Sequence, residues 1–474
     1  MRINRHSHAR STRPLITLVA ALALAGSGVV VVNTVAGANE DPAAAQTGPQ
    51  QPGADTRTID CPDIGLAMGK VPEGARTDVA KGLTAMDAQV AGAYEMLGTG
   101  QLQDQAILKD LAEQRGRSIG AISDAVEKGG AAPPEGLESM NSCRMQPIGD
   151  AGGGAEDRGD GEQQGGDQGQ QRGGPVAEDF VDITKVRPNV SDPGQQEGGS
   201  TGSFTVDCGR NEEGHFNSDN VIAAPGIGNG AHHVHDYVGN LATDAFTSDQ
   251  DLAQADTTCE RDDRSTHYWP VLRAVDGVTE GQPNHGGPGG GADGNVGTVL
   301  KPAGVTLSFS GSQAGDVTAM PQFLRIITGD AKAFTNGTAN ANASWTCEGF
   351  EDKVRLEDKY PLCPEGSNVI RSLEFQSCWD GANTDSGNHR DHVAFAREDG
   401  SCPEGFTAIP QLTQQISYDV PRGGNVPEET PFAVDSFPEQ LHKPVTDHGD
   451  FINVMPEELM AEAVECINSG RDCG

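Results

Sequence analysis

Val299-Leu300-Lys301-Pro302-Ala303-Gly304-Val305-Thr306-Leu307-Ser308-Phe309 decides the fold, because Val305, Leu307 and Phe309 alternate with Thr306 and Ser308. Successive side chains of a strand point to opposite faces, so this alternation predicts a strand with one face in a core. Short β-like stretches surround it at 323–327, 369–375, 392–396 and 415–420, and turn residues punctuate them. Helical periodicity returns only at 457–468, where Leu459, Ala463 and Cys466 share a face. Residues 201–474 are therefore expected to form a mainly β, sandwich-like C-terminal domain with long loops.

Upstream the pattern changes. Val79, Leu83, Met86, Val90, Tyr94 and Leu97 recur at three- and four-residue steps, and Leu108, Leu111, Ile119, Ile122 and Val126 form a second stripe. Arg115 occupies the one step of that stripe that should be apolar. Gly98 and Gly100 separate the two runs, and Gly129-Gly130 ends the second, which predicts a small α-helical hairpin over 61–143. Two helices bury little area, so a cross-link or a docking surface is needed. Residues 144–200 are rich in Gly, Gln, Asp and Glu, which predicts a disordered linker whose Phe180, Val181, Ile183 and Val186 are candidates to dock on the C-terminal domain. Residues 39–60 are also expected to be disordered.

The first residues resemble an export signal. Arg2, Arg5, Arg10 and Arg13 precede an apolar run at 15–32 and then Ala36-Gly37-Ala38, which predicts a signal peptide over 1–38. A membrane is a partner only if that segment is retained. Ten cysteines with no Cys-x-x-Cys pair point to five disulfides in an extracellular or wall-associated protein. Short loops between consecutive cysteines close at low entropic cost, which predicts the pairs 61–143, 208–259, 347–363, 378–402 and 466–473. With 33 basic and 69 acidic residues, the net charge of −36 disfavours nucleic acid as a partner.

Candidate chemistry gathers at histidines. Apart from His6 and His8, all ten others follow Gly214. His233 and His235, in His232-His233-Val234-His235-Asp236, would point to one face of an extended segment. Other clusters contain Trp379-Asp380, His389 and His392, and then His448-Gly449-Asp450. His233, His235, His392 and His448 are candidate ligands for a divalent metal. Metal-free acid–base chemistry is equally consistent, with His235 and His392 acting beside Asp236, Asp380 or Asp450 as catalytic groups. Tyr268, Trp269 and Trp379 are candidate sugar-stacking residues, although core packing is the commoner fate of a Trp.

Several motifs together carry a resemblance. His233-x-His235-Asp236-Tyr237-Val238-Gly239, Thr258-Cys259, Tyr268-Trp269-Pro270, Cys378-Trp379-Asp380-Gly381, His392-Val393-Ala394-Phe395, Cys402-Pro403 and His448-Gly449-Asp450-Phe451 occur in order, and Cys466 and Cys473 come after them. Over about 204–473 the chain resembles the secreted family called domain of unknown function nineteen-ninety-six, of actinomycete and fungal type. The resemblance implies an exported protein in a glycan-rich setting. Gly449 departs from the Ala that commonly follows this His, and Asn453-Val454 departs from the family's usual approach to a Trp. The expectation is a protein that acts on or binds cell-wall or environmental polysaccharide through a His/Asp-lined site. As a glycan-active hydrolase it would draw its acid and base from Asp236, Asp380 and Asp450. The alternative is a non-enzymatic metal-binding or cell-wall scaffolding protein.

Overall fold

The computed structural model describes residues 57–68, 71–99, 102–147, 175–191, 196, 198–228, 230–278 and 295–474. The expected signal peptide, residues 39–56 and the linker stretch 148–174 lie outside the described residues. The protein is mainly β, as its alternating stretches imply. Six strands run in the order Ala343–Cys347, Val369–Glu374, Gln411–Tyr418, Gly304–Ser310, Ser203–Val206 and Asp472–Cys473, antiparallel except for the last pair. Along Gln411–Tyr418 every second residue is buried, and Leu412 and Gln414 sit opposite Phe309 and Leu307. The alternating stretch at 304–310 thus lies near the middle of this sheet.

A second, five-stranded antiparallel sheet runs Arg325–Gly329, His448–Ile452, Thr266–Pro270, His235–Gly239 and Phe216–Asn217. Its inner face carries Trp269, Val238, Ile326 and Phe451, which join Phe309, Leu373, Leu412 and Ile416 in one core. Gln414 Nε2 reaches the Asp450 carbonyl across the gap at 3.3 Å. This is a sandwich. The three middle strands of the second sheet are buried on both faces. Their outer face is covered by Val221, Ile222 and Leu252 against Tyr237, Tyr268 and Ile452.

The hairpin consists of helices Arg76–Thr99 and Asp104–Lys128. Arg115 faces inward because its guanidinium donates to the Pro62 and Met140 carbonyls, at 2.7 and 3.3 Å. Gly82 marks a close helix approach, since a Cβ there would fall 2.4 Å from Ile122 Cγ1. The five disulfides join Cys61–Cys143, Cys208–Cys259, Cys347–Cys363, Cys378–Cys402 and Cys466–Cys473.

Two disorder boundaries need correction. Arg57–Asp60 is a strand paired with Arg144–Pro147, because the Cys61–Cys143 bond holds both ends of the hairpin together. Phe180–Asp182 pairs in parallel with Tyr360–Leu362, and Asp179 forms a buried ion pair with Lys443 at 2.8 Å. Local apolar residues, Phe180 and Ile183, outweigh the polar average of the surrounding segment.

The hairpin also docks on the β domain. Thr58 Oγ1 donates to the Glu439 carbonyl at 2.7 Å, Asn336 Nδ2 donates to Asp63 Oδ2 at 2.8 Å, and Lys332 pairs with Asp87. These contacts supply the surface that two helices lack alone.

Gly329, opposite His448, has φ +80° and would place a Cβ 2.5 Å from the Asp447 carbonyl oxygen. Gly329→Ala is expected to cost about 2 kcal/mol or more in denaturant unfolding. A neutral outcome would show that the two strands separate locally without penalty. Gly449 is similarly constrained, because a Cβ there would sit 2.8 Å from both Gln414 Oε1 and Leu373 Cδ1.

Candidate metal centre

His235 and His448 lie on two strands flanking Thr266–Pro270 and point to the outer face of the sheet. His233 joins them because it lies two residues before His235 in the segment leading into that strand. The preceding residue, His232, has φ +55° and turns the chain. His233 Nε2 lies 3.0 Å from His235 Nε2 and 3.2 Å from His448 Nε2. Ligand atoms of all three lie within 4.8 Å of one another. Their relative exposures are 2 %, 0 % and 3 %.

The opposite ring nitrogens orient two of these imidazoles. His235 Nδ1 meets the Asp219 carbonyl at 2.8 Å, and His448 Nδ1 meets the Thr446 carbonyl at 3.1 Å. A carbonyl only accepts, so each Nδ1 carries the proton and each Nε2 presents a lone pair. Burial, reinforced by the neighbouring His448 ring, depresses His235 to about 3. Burial likewise lowers His448 to about 4 and holds His233 well below its ordinary value. The triad is neutral at pH 7. The His235 and His448 lone pairs converge, and a proton on His233 Nε2 has to be divided between them. A cation relieves all three. Tetrahedral zinc with Zn–N bonds of about 2.0–2.1 Å separates its nitrogens by roughly 3.3 Å, close to the two separations measured from His233 Nε2.

Other expected site residues fall elsewhere. His392 is bonded at both nitrogens, to Ser386 Oγ at 3.0 Å and the Arg325 carbonyl at 2.7 Å, and is not in the cluster. Asp236 follows His235 and so points to the inner face, where Asn211 Nδ2 donates to it at 2.7 Å. Burial pushes it up to about 7. Asp450 shares the outer face with His448 and is fully buried; burial pushes it up to about 8, opposed by Asn220 and Tyr268. It stands beside the triad rather than in it. Asp380 caps a surface turn by accepting from the backbone of Ala382 and Asn383, both at 2.9 Å.

Tyr268 and Trp269 are fully buried and present no face to a sugar. Tyr268 instead packs at 5.1 Å from His235 and stacks on Tyr237 at 4.8 Å. Trp379 is partly exposed and donates to the Asn383 carbonyl. Phe437, 5.3 Å from His233 ring to ring, forms a wall of the site that sequence reasoning missed, as it missed the Asp219 and Thr446 carbonyls. Backbone acceptors leave no mark in residue type.

No helix among the described residues is long and apolar enough to cross a membrane. No curated protein and no solved structure matches the chain. Residues 221–454 match a family model, and this stretch contains all three converging histidines and the strands that position them. By that match the β domain belongs to the family described as Domain of unknown function (DUF1996).

Proposed function

We propose that this protein is an exported metal-binding protein whose β domain holds a borderline divalent cation, of the zinc class, on Nε2 of His233, His235 and His448. The observation that carries this reading is the convergence of three buried Nε2 atoms, two of them oriented by carbonyls behind the rings. Such carbonyls fix tautomer and ring direction in metal centres. Imidazole nitrogen suits zinc and its neighbours better than magnesium or calcium, which prefer oxygen. Five disulfides fit an oxidising compartment.

The glycan role implied by the family's setting has less support at this site, because Tyr268 and Trp269 lie in the interior. A sugar contact would fall on Trp379 instead. The metal reading is tested by elemental analysis of the purified full chain and by titration with Zn²⁺. One equivalent of tightly held metal is expected. His235→Ala is expected to weaken binding by about 100-fold or more while far-ultraviolet circular dichroism stays native. Equal metal content in His235→Ala and the native chain would overturn the assignment.

A further inference from the structure

A buried ion needs a way in and out, and the three histidines and the adjacent Phe437 are all buried. One wall differs from the others in what lies behind it. The Phe437 ring meets the edge of His233 at 5.3 Å, and Lys332 Nζ stands 4.8 Å over that same Phe437 ring. Lys332 is ion-paired with Asp87, from the first helix of the hairpin. The next turn, Pro438–Gln440, is tied to the hairpin by the bond from Thr58 Oγ1 to the Glu439 carbonyl. Gln440 Oε1 in turn accepts from the backbone of Phe334, 3.1 Å away, beside Lys332.

We propose that the hairpin is a working part of the metal centre, with Asp87 a positioning residue that holds Phe437 over His233 through Lys332. The inference rests on the tri-histidine reading of the site. The chain of contact runs Asp87, Lys332, Phe437, His233, and each step joins a different segment. The opposite side of the triad is built from the sheet itself and the Asp219 carbonyl, within a core continuous with Tyr237, Tyr268 and Ile452. The Phe437 side is held by a part-buried ion pair and a few hydrogen bonds. That side costs least to open, so ion exchange passes through it. A hairpin that only added bulk stability would leave the exchange rate unchanged. One that holds the wall sets that rate in both directions.

The experiment uses the full-length protein loaded with Co²⁺, whose visible spectrum reports occupancy, mixed in a stopped-flow instrument with excess chelator. Asp87→Asn keeps the shape of the side chain and removes its charge. It is expected to speed Co²⁺ release about fivefold, the effect of an ion pair worth roughly 1 kcal/mol on an opening step. Loading of the metal-free protein is expected to accelerate with it. The charge-exchanged double variant, Asp87→Lys with Lys332→Asp, restores slow exchange if the contact itself is responsible. Native rates in both Asp87→Asn and Lys332→Met, with Co²⁺ still bound at the triad, overturn the positioning role and leave the metal site standing. Failure of the native chain to hold Co²⁺, or undiminished binding in His235→Ala, overturns both.

Discussion

Arg371→Leu lowers the unfolding free energy by about 3–5 kcal/mol, the usual consequence of removing one partner of a buried ion pair. Arg371 is fully buried and donates to Asp447 Oδ1 at 3.1 Å, to the Pro270 carbonyl at 2.8 Å and to Tyr418 Oη at 2.8 Å. Leucine fills part of the volume but leaves a carboxylate, a carbonyl and a hydroxyl without this donor. Stranded polar groups cost more than the lost bonds. The change also reaches the metal site, because Asp447 Oδ1 accepts from the His448 backbone N–H at 3.0 Å. Guanidinium unfolding measures the loss, and metal content should fall with it. A change below about 1 kcal/mol would mean that Asp447 acquires another partner and that the strand bearing His448 is held mainly by packing.

The metal-free protein is expected to lose about 3 kcal/mol of stability through one side chain as pH rises from 4 to 8. Glu439 is buried at the hairpin contact, and burial pushes it up from 4.5 to about 7, opposed by the charge of Lys332. Because the folded value lies above the unfolded one, the folded state binds the proton more tightly. Its contribution is complete below about pH 4.5 and is lost as pH rises through about 7. Glu439→Gln removes that proton equilibrium, so its stability curve should be flatter across this window than that of the native chain. Parallel curves for the two proteins, from thermal unfolding at half-unit pH steps with chelator present, would rule out Glu439 as the source.

The strand at 304–310 was legible because its period of two is strict, and the hairpin because its apolar steps are helical and its glycines fall between the runs. The cysteine pairing was legible because each bond joins sequence neighbours. In the site, the His233 and His235 pairing follows from alternation alone, as does the separation of Asp236 from them. His392 could not be placed, because strand order brings His448 beside the Thr266–Pro270 strand, and no local pattern encodes which distant strand becomes a neighbour. Tyr268 and Trp269 were misplaced for a related reason. Alternation tells which of two faces a residue takes, but the Thr266–Pro270 strand is covered on both, so neither aromatic reaches solvent. The docking of Phe180, Val181, Ile183 and Val186 was legible from their apolar character, whereas the order of the surrounding 175–191 was obscured by composition, since a few apolar anchors carry little weight in a polar average.

The five disulfide loops neither nest nor interlock along the sequence. A chain that emerges N-terminus first would therefore meet each cysteine's correct partner before any other new thiol arrived. If oxidation keeps pace with emergence, at most one sulfur waits unpaired at any moment. Mispairing then has no thiol to use, and reshuffling is not required to reach the native set. Refolding from the fully reduced chain starts instead with all ten thiols in competition.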